Sequence, residues 1–305
     1  MKKIKLGTSE LKVSTISLGC MRMGKLSKNK AEKVIHNALD VGVDFFDHAD
    51  IYAGGKSEEI FADAIDMNPT IREKMFIQTK AGIRKGFYDF SKDHIVTSVD
   101  ESLKRLKTDY IDVFLLHRPD ALVEPEEVAE AFSELKNSGK VRHFGVSNHT
   151  PLQIELLKKY VEQDLIINQL QFSIMHTGMI DAGVQMNTKF ENAVNRDGSI
   201  LDYSRLNDMT IQAWSPFQHG FFKGVFIDDE QFPELNAKLQ EVSEKYNVTK
   251  STIAISWILR HPAKIQPVVG TMNPERLASI AEASEIILTR EEWYEIYLAA
   301  GNELP

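Results

Sequence analysis

Eight short apolar runs alternate with amphipathic segments along this sequence. The pattern predicts an α/β fold, a (β/α)8 TIM barrel with an N-terminal β-hairpin and an extra C-terminal helix. The runs are rich in β-branched and aromatic residues, as strands buried on both faces of a parallel sheet are. Their C-terminal ends are strongly polar, which is where a barrel gathers its chemistry. A doubly wound open sheet shares the alternation, and periodicity alone does not separate the two.

Taken in order, residues 2–14 read as a hairpin, Lys3-Ile4-Lys5-Leu6 then Leu11-Lys12-Val13-Ser14, placed to plug the barrel floor. The apolar runs are Ile16–Gly19, Val43–Asp47, Met75–Thr79, Ile111–Leu116, Val141–Val146, Leu165–Gln169, Met209–Trp214 and Ile265–Val269. Helical stripes cover 28–41, 57–66, 92–106, 125–137, 150–162, 234–246, 250–261 and 273–283. In the first of these Ala31, Val34, Ile35, Ala38 and Leu39 share one face. Thr150-Pro151 and Asn273-Pro274 each put a capping side chain before a proline at the first helical position. Residues 172–208 are polar and interrupted by Gly178, Gly183 and Gly198, so they read as one large loop. Residues 289–300 open with the capping-box pattern Thr289-Arg290-Glu291-Glu292 and read as the final surface helix. No Pro/Gly/Ser-rich linker divides the chain, so one domain over residues 1–305 is expected.

Composition excludes several function classes. Lys and Arg number 36 against 44 Asp and Glu, a net charge of −8, which argues against a dedicated nucleic-acid binder. The single cysteine, Cys20, excludes an intramolecular disulfide framework and Cys-rich zinc sites, and reads as a packed residue. No stretch has the length of a membrane span. The basic start of the chain runs into polar Thr8-Ser9-Glu10 where a signal peptide needs an apolar core, so a soluble cytoplasmic protein is expected. The nine histidines form no H-E-x-x-H or H-x-H pattern, no metal site is expected, and G-x-S-x-G and Walker motifs are absent.

The polar strand ends are Asp47, Lys80, His117, Ser147-Asn148, Asn168-Gln169, Trp214-Ser215 and Gly270-Thr271, with Tyr52 in the loop after Asp47. Singly, each has an ordinary structural reading: a loop salt bridge for the charged pair, a turn cap for His117-Arg118-Pro119-Asp120, a loop aromatic for Tyr52. Together on one rim they suit carbonyl reduction. A tyrosine with an ordinary pKa of about 10 is a weak acid, and an adjacent ammonium lowers that value. Asp47 would hold Lys80 charged, His117 would orient the electrophilic oxygen and Tyr52 would give it a proton. The sequence has no G-x-G-x-x-G, so a Rossmann cofactor site lacks support. Gly270-Thr271-Met272-Asn273-Pro274 has instead the character of a barrel phosphate site, a glycine followed by a capped helix start, with Arg276 at the third helical position. His48 and His219 read as loop residues.

These residues closely resemble the aldo-keto reductase family. Gly42-Val43-Asp44-Phe45-Phe46-Asp47-His48-Ala49-Asp50-Ile51-Tyr52 is similar to its D-x-A-x-x-Y signature, followed by the usual Ser57-Glu58. Thr79-Lys80, Leu115-Leu116-His117, Gly145-Val146-Ser147-Asn148, Asn168-Gln169, Trp214-Ser215-Pro216 and Gly270 to Arg276 match in order and spacing. The resemblance spans essentially the whole chain. It implies a barrel that binds NADP(H) in extended form, with Asp47, Tyr52, Lys80 and His117 as a catalytic tetrad. It further implies that Ser147, Asn148 and Gln169 bond the nicotinamide carboxamide and that Trp214 stacks on the ring. The implied cofactor contacts also include Met21, Ser215, Pro216, Phe217, Gln218, Gly220, Gly270, Thr271 and Met272, with Arg276 selecting the adenosine 2′-phosphate. Two departures bear on that selection: a lysine common at position 270 is absent, and Ser279 and Ile280 stand where many members carry acidic or amide residues. The implied substrate is a small or medium aldehyde or ketone. Met21, Met23, Phe87, Tyr88 and Phe90 read equally as an apolar mouth or as loop packing. The resemblance also admits a regulatory or sensor subunit that keeps the cofactor site, as potassium-channel β subunits do.

Overall fold

A computed structural model describes residues 1–305. The strands are β1 (Lys3–Lys5), β2 (Lys12–Ser14), β3 (Ser17–Gly19), β4 (Phe45–Asp47), β5 (Phe76–Ala81), β6 (Ile83–Arg84), β7 (Phe87–Tyr88), β8 (Ile111–Leu116), β9 (Val141–Ser147), β10 (Leu165–Gln171), β11 (Thr210–Trp214) and β12 (Gln266–Val269). The helices are α1 (Lys28–Asp40), α2 (Lys56–Ala64), α3 (Pro69–Arg72), α4 (Lys92–Leu106), α5 (Pro125–Asn137) and α6 (Pro151–Lys158). They continue with α7 (Gly178–Val184), α8 (Ile200–Leu206), α9 (Pro233–Tyr246), α10 (Lys250–Leu259), α11 (Pro274–Ala281) and α12 (Arg290–Ala299). Strands β3, β4, β5, β8, β9, β10, β11 and β12 pair in parallel in that order, and β12 returns to β3. Closure removes the open-sheet alternative, and each barrel strand coincides with one of the apolar runs. No helix is long and apolar enough to cross a membrane.

The hairpin β1–β2 plugs the floor. Leu6, Leu11 and Val13 pack onto Phe45, Val113, Leu115, Ile166 and Ile167 inside the barrel. Gly7 turns at φ +50°, and a Cβ there would lie 2.5 Å from the Ile166 carbonyl oxygen, so only glycine lets the turn approach this closely. Its N–H donates to Thr210 Oγ1 at 2.8 Å, tying the turn to β11.

Residues 172–208 are not one loop. They contain α7, a short 3-10 turn at Glu191–Ala193, and α8, the helix of the sixth crossover. Each helix has only 7 residues, too few for a helical stripe to stand out. Their positions are set by tertiary contacts: α8 buries Ile200, Leu201 and Ser204, and Asp181 of α7 accepts the Tyr297 hydroxyl at 2.7 Å. The helical stripes therefore do not distribute one per strand, because α9 and α10 both lie between β11 and β12. α12 opens with the expected capping box between Thr289 and Glu292. It is locked to α10 by Trp257 and Trp293, stacked at 4.6 Å, each indole N–H donating to the other's carbonyl at 3.0 Å.

Candidate active site

The barrel register brings Asp47 at the end of β4, Lys80 near the end of β5 and His117 just beyond β8 onto one rim. Tyr52 reaches them from the tight loop into α2, whose amides from Gly55 and Ser57 donate to the Tyr52 carbonyl. Glu58 anchors this loop: it is fully buried and accepts from Thr79 Oγ1 at 2.6 Å and from Arg105 Nε at 2.7 Å. The loop aromatic is thereby tied to both β5 and α4.

At the centre, Lys80 Nζ donates to Asp47 Oδ1 and to the His48 carbonyl, each at 2.6 Å, and lies 5.1 Å from the centre of the Tyr52 ring. The Tyr52 and His117 rings meet edge to face with centres 6.1 Å apart. Lys80 has no exposed surface, yet its pKa stays above the ordinary value: burial pulls it down and Asp47 and Tyr52 outweigh burial. It is a buried ammonium held by its partners. His117 is neutral, its pKa driven well down by burial first and then by the charges of Lys80 and Arg118. Its Nδ1 is sealed without a partner, which leaves Nε2 as the nitrogen able to meet a substrate oxygen.

One expectation needs correction. The Lys80 ammonium does pull the Tyr52 phenol down, but burial raises it more, and the net result is a pKa pushed up to about 12. His48 lies in the loop after β4, as read from the sequence, with its side chain turned inward. It is fully buried, edge-on to Phe61 at 4.6 Å, with a pKa forced to about 3 by burial and Lys80.

Gln169 belongs to a set of buried amides whose other members, Gln78, Gln212 and Gln266, were not singled out in the sequence. Gln78 Nε2 (2.5 Å) and Gln169 Nε2 (3.0 Å) both donate to Asp47 Oδ1, and both also donate to Gln212 Oε1. Gln212 Nε2 donates to Gln266 Oε1, and Gln266 Nε2 to the Ser14 carbonyl beside the floor hairpin. Because a carbonyl only accepts, Ser14 sets the orientation of Gln266, which sets Gln212. Gln212 in turn makes the two remaining amides present N–H toward Asp47. Alternation places these side chains inside the barrel, and only their polarity at inward positions of β5, β11 and β12 could have marked them.

Of the other rim residues of the sequence reading, Ser147, Asn148, Gln169 and Trp214 are joined by hydrogen bonds. Ser147 Oγ donates to the Gln169 carbonyl at 2.9 Å, and Asn148 Nδ2 donates to Ser147 Oγ at 2.7 Å. Asn148 Oδ1 accepts the Trp214 indole N–H at 3.1 Å, which orients that ring over the rim. Asn148 and Ser215 both adopt positive φ, at +60° and +51°, so the backbone turns sharply at two strand ends flanking the same space. Pro216, Phe217, Gln218 and Gly220 lie in the turn that follows, closed by an antiparallel bridge between Gln218 and Val225. Gly270, Thr271 and Met272 lead into α11, where Asn273 Oδ1 accepts the Arg276 N–H at 2.9 Å, and the Arg276 side chain is exposed. Arg22 Nη1 donates to the Gly270 carbonyl at 3.0 Å, so a cation stands beside the position where a lysine is missing. Met21, Phe87 and Tyr88 are exposed at the mouth, with Phe87 and Tyr88 on the β6–β7 hairpin. Met23 and Phe90 are buried and belong to the packing.

With this arrangement established, similarity to known proteins decides the family. The aldo/keto reductase family model matches residues 15–299. The chain belongs to the aldo/keto reductase family. It is 34% identical over 319 residues to a 6-dehydroglucose reductase of Agrobacterium fabrum, covering 100% of both chains. It is 35% identical to the oxidoreductase YdhF of Escherichia coli, covering 92% of this chain and 91% of that one. Among solved structures, an aldo-keto reductase from Klebsiella pneumoniae in complex with NADPH shares the fold at a TM-score of 0.77 and 22% identity, covering 97% of this chain and 93% of that one.

Proposed function

We propose that this aldo/keto reductase is an NADPH-dependent oxidoreductase that reduces a small or medium aldehyde or ketone to the alcohol, with Tyr52 as the general acid. The observation that carries this reading is the buried assembly of Asp47, Lys80, Tyr52 and His117, in which a charged ammonium and a neutral imidazole border one phenol.

The rim fits the cofactor. Gly270 gives a ligand close access to the backbone, α11 offers a capped N-terminus, and exposed Arg276 and Arg22 supply positive charge for phosphate. Ser147, Asn148 and Gln169 would hold the carboxamide, and Trp214 would face the nicotinamide ring. When bound, the nicotinamide supplies a hydride.

The chain's own residues do the rest. His117, neutral, donates from Nε2 to the carbonyl oxygen and aligns it beside the Tyr52 hydroxyl. Negative charge grows on that oxygen during reduction, and the Lys80 ammonium nearby stabilises it. Tyr52 then gives up its proton. A phenol pushed up to about 12 still transfers to an alkoxide, which is far more basic than a phenolate, and Lys80 stabilises the phenolate left behind. Asp47 keeps Lys80 charged throughout.

Cofactor binding tests the reading. Titration of the protein with NADPH should quench tryptophan fluorescence, because Trp214 faces the proposed site while Trp257 and Trp293 are buried between α10 and α12. Arg276→Ala should weaken NADPH about tenfold and leave NADH nearly unchanged, the effect of one lost charged hydrogen-bond set of about 1.4 kcal/mol. Equal losses for both cofactors would remove the 2′-phosphate assignment, and no quenching with either would remove the site.

A further inference from the structure

Arg118 stands next to His117 and is not used by the chemistry above. Its guanidinium carbon lies 5.7 Å from the centre of the Trp214 ring and 5.9 Å from that of Phe221. Trp214 is itself fixed by Asn148, and Phe221 is 61% exposed, so the cation is framed by one rigid ring and one at the edge of the mouth. Arg118 is half-buried and enters no ion pair and no hydrogen bond within the protein. Burial pulls its pKa down, and the one titratable group that acts on it is the phenol of Tyr88.

The nearest acid in the chain is already engaged. Asp120 Oδ2 accepts the Phe90 N–H at 3.0 Å and Oδ1 accepts the Leu122 N–H at 2.8 Å, shaping the turn instead of neutralising the arginine. A guanidinium carries five donors in a planar fork that matches a carboxylate. Contact with aromatic faces compensates part of its lost hydration but accepts none of those hydrogen bonds. A half-buried cation of this kind, unpaired and next to His117 in the chain, has the chemistry of an anion receptor.

We propose that Arg118 receives a carboxylate on the substrate, so that the preferred substrates are aldehydes or ketones bearing a carboxylate on an apolar or aromatic body. The proposal rests on the reading of this site as a carbonyl reductase. The body would lie against Phe221, and the carboxylate would make two parallel hydrogen bonds to the guanidinium while the carbonyl meets Tyr52 and His117.

Two aldehydes of similar size test it: 4-carboxybenzaldehyde and 4-methylbenzaldehyde, each with NADPH. Wild type should favour the carboxylate in kcat/KM by about tenfold or more, mostly through KM. Arg118→Met keeps an unbranched apolar stem without the charge and should bring the ratio to about one. A ratio near one in wild type, or a preference that survives in Arg118→Met, would overturn the proposal. Benzoate, titrated with and without NADP+ and followed by tryptophan fluorescence or calorimetry, reads the same site without turnover. It should bind wild type and bind Arg118→Met about tenfold more weakly. Equal benzoate affinity in the two proteins, or none in wild type, counts against Arg118. Loss of aldehyde reduction with benzoate binding intact counts instead against the reductase reading.

Discussion

At the scale of single residues, the site sets side chains with opposite electrostatic demands beside one another. Lys80 keeps its charge without water because Asp47 and the His48 carbonyl each meet it at 2.6 Å. His48 and His117 lose theirs because each is buried beside that ammonium. Asp50 is a further case. Burial, opposed by the Ile51 amide and assisted by Glu58, raises its carboxyl from 3.8 to about 7, and its Oδ1 is buried without a partner. The sign of the resulting stability effect follows from proton linkage. Below about pH 4 the carboxyl is protonated in folded and unfolded chains alike, and it costs nothing. As pH rises toward 7 the unfolded chain ionises freely while the folded one resists, so stability is lost across that window and the loss is complete above it. Asp50→Asn should therefore raise Tm most at about pH 8 and hardly at all at about pH 4. Thermal melts across that range check this, and a gain independent of pH, or largest in acid, contradicts it.

At the scale of elements, the strands were legible because burial on both faces leaves an unmistakable apolar run, and their ends were legible because polar residues interrupt it. Asp47, Lys80 and His117 could be picked out because each stands at the end of such a run, and Tyr52 because it lies in the loop after one; only their occurrence together set them apart. The helices α7 and α8 were not legible, since 7 residues carry too little pattern and their placement depends on contacts such as Tyr297 with Asp181. The rise of the Tyr52 pKa was missed for a related reason: a sequence shows which charge is adjacent but not how much water is excluded. The amide chain from Ser14 to Asp47 was equally invisible, because an inward glutamine looks like any other polar interruption. Its consequence is specific. Gln212→Leu removes the acceptor shared by Gln78 and Gln169 and the donor to Gln266, so nothing then directs their N–H groups to Asp47. We expect kcat to fall about tenfold or more with aldehyde KM little changed, as a misplaced catalytic set would give, and cofactor affinity to weaken because Gln169 loses the same acceptor. An unchanged kcat in a folded Gln212→Leu protein would show that the chain of amides only fills the barrel.

At the scale of the whole molecule, 8 parallel strands close into a barrel, with the hairpin sealing one end on an apolar layer and the Asp47–Lys80–Tyr52–His117 cluster at the other. The net charge of −8 does not oppose a polyanionic cofactor, because the cations Arg22, Arg118 and Arg276 stand on the rim where the field matters. The central claim, proton donation by Tyr52 to a carbonyl reduced on this rim, is tested most directly by isotope transfer. NADPH deuterated at both C4 positions is incubated with benzaldehyde and the benzyl alcohol examined by mass spectrometry, for wild type and for Tyr52→Phe. The account predicts one deuterium on the alcohol carbon with wild type. With Tyr52→Phe it predicts a rate lower by about a hundredfold or more while NADPH still binds. Label transfer at an undiminished rate by Tyr52→Phe, or none by wild type, would contradict it.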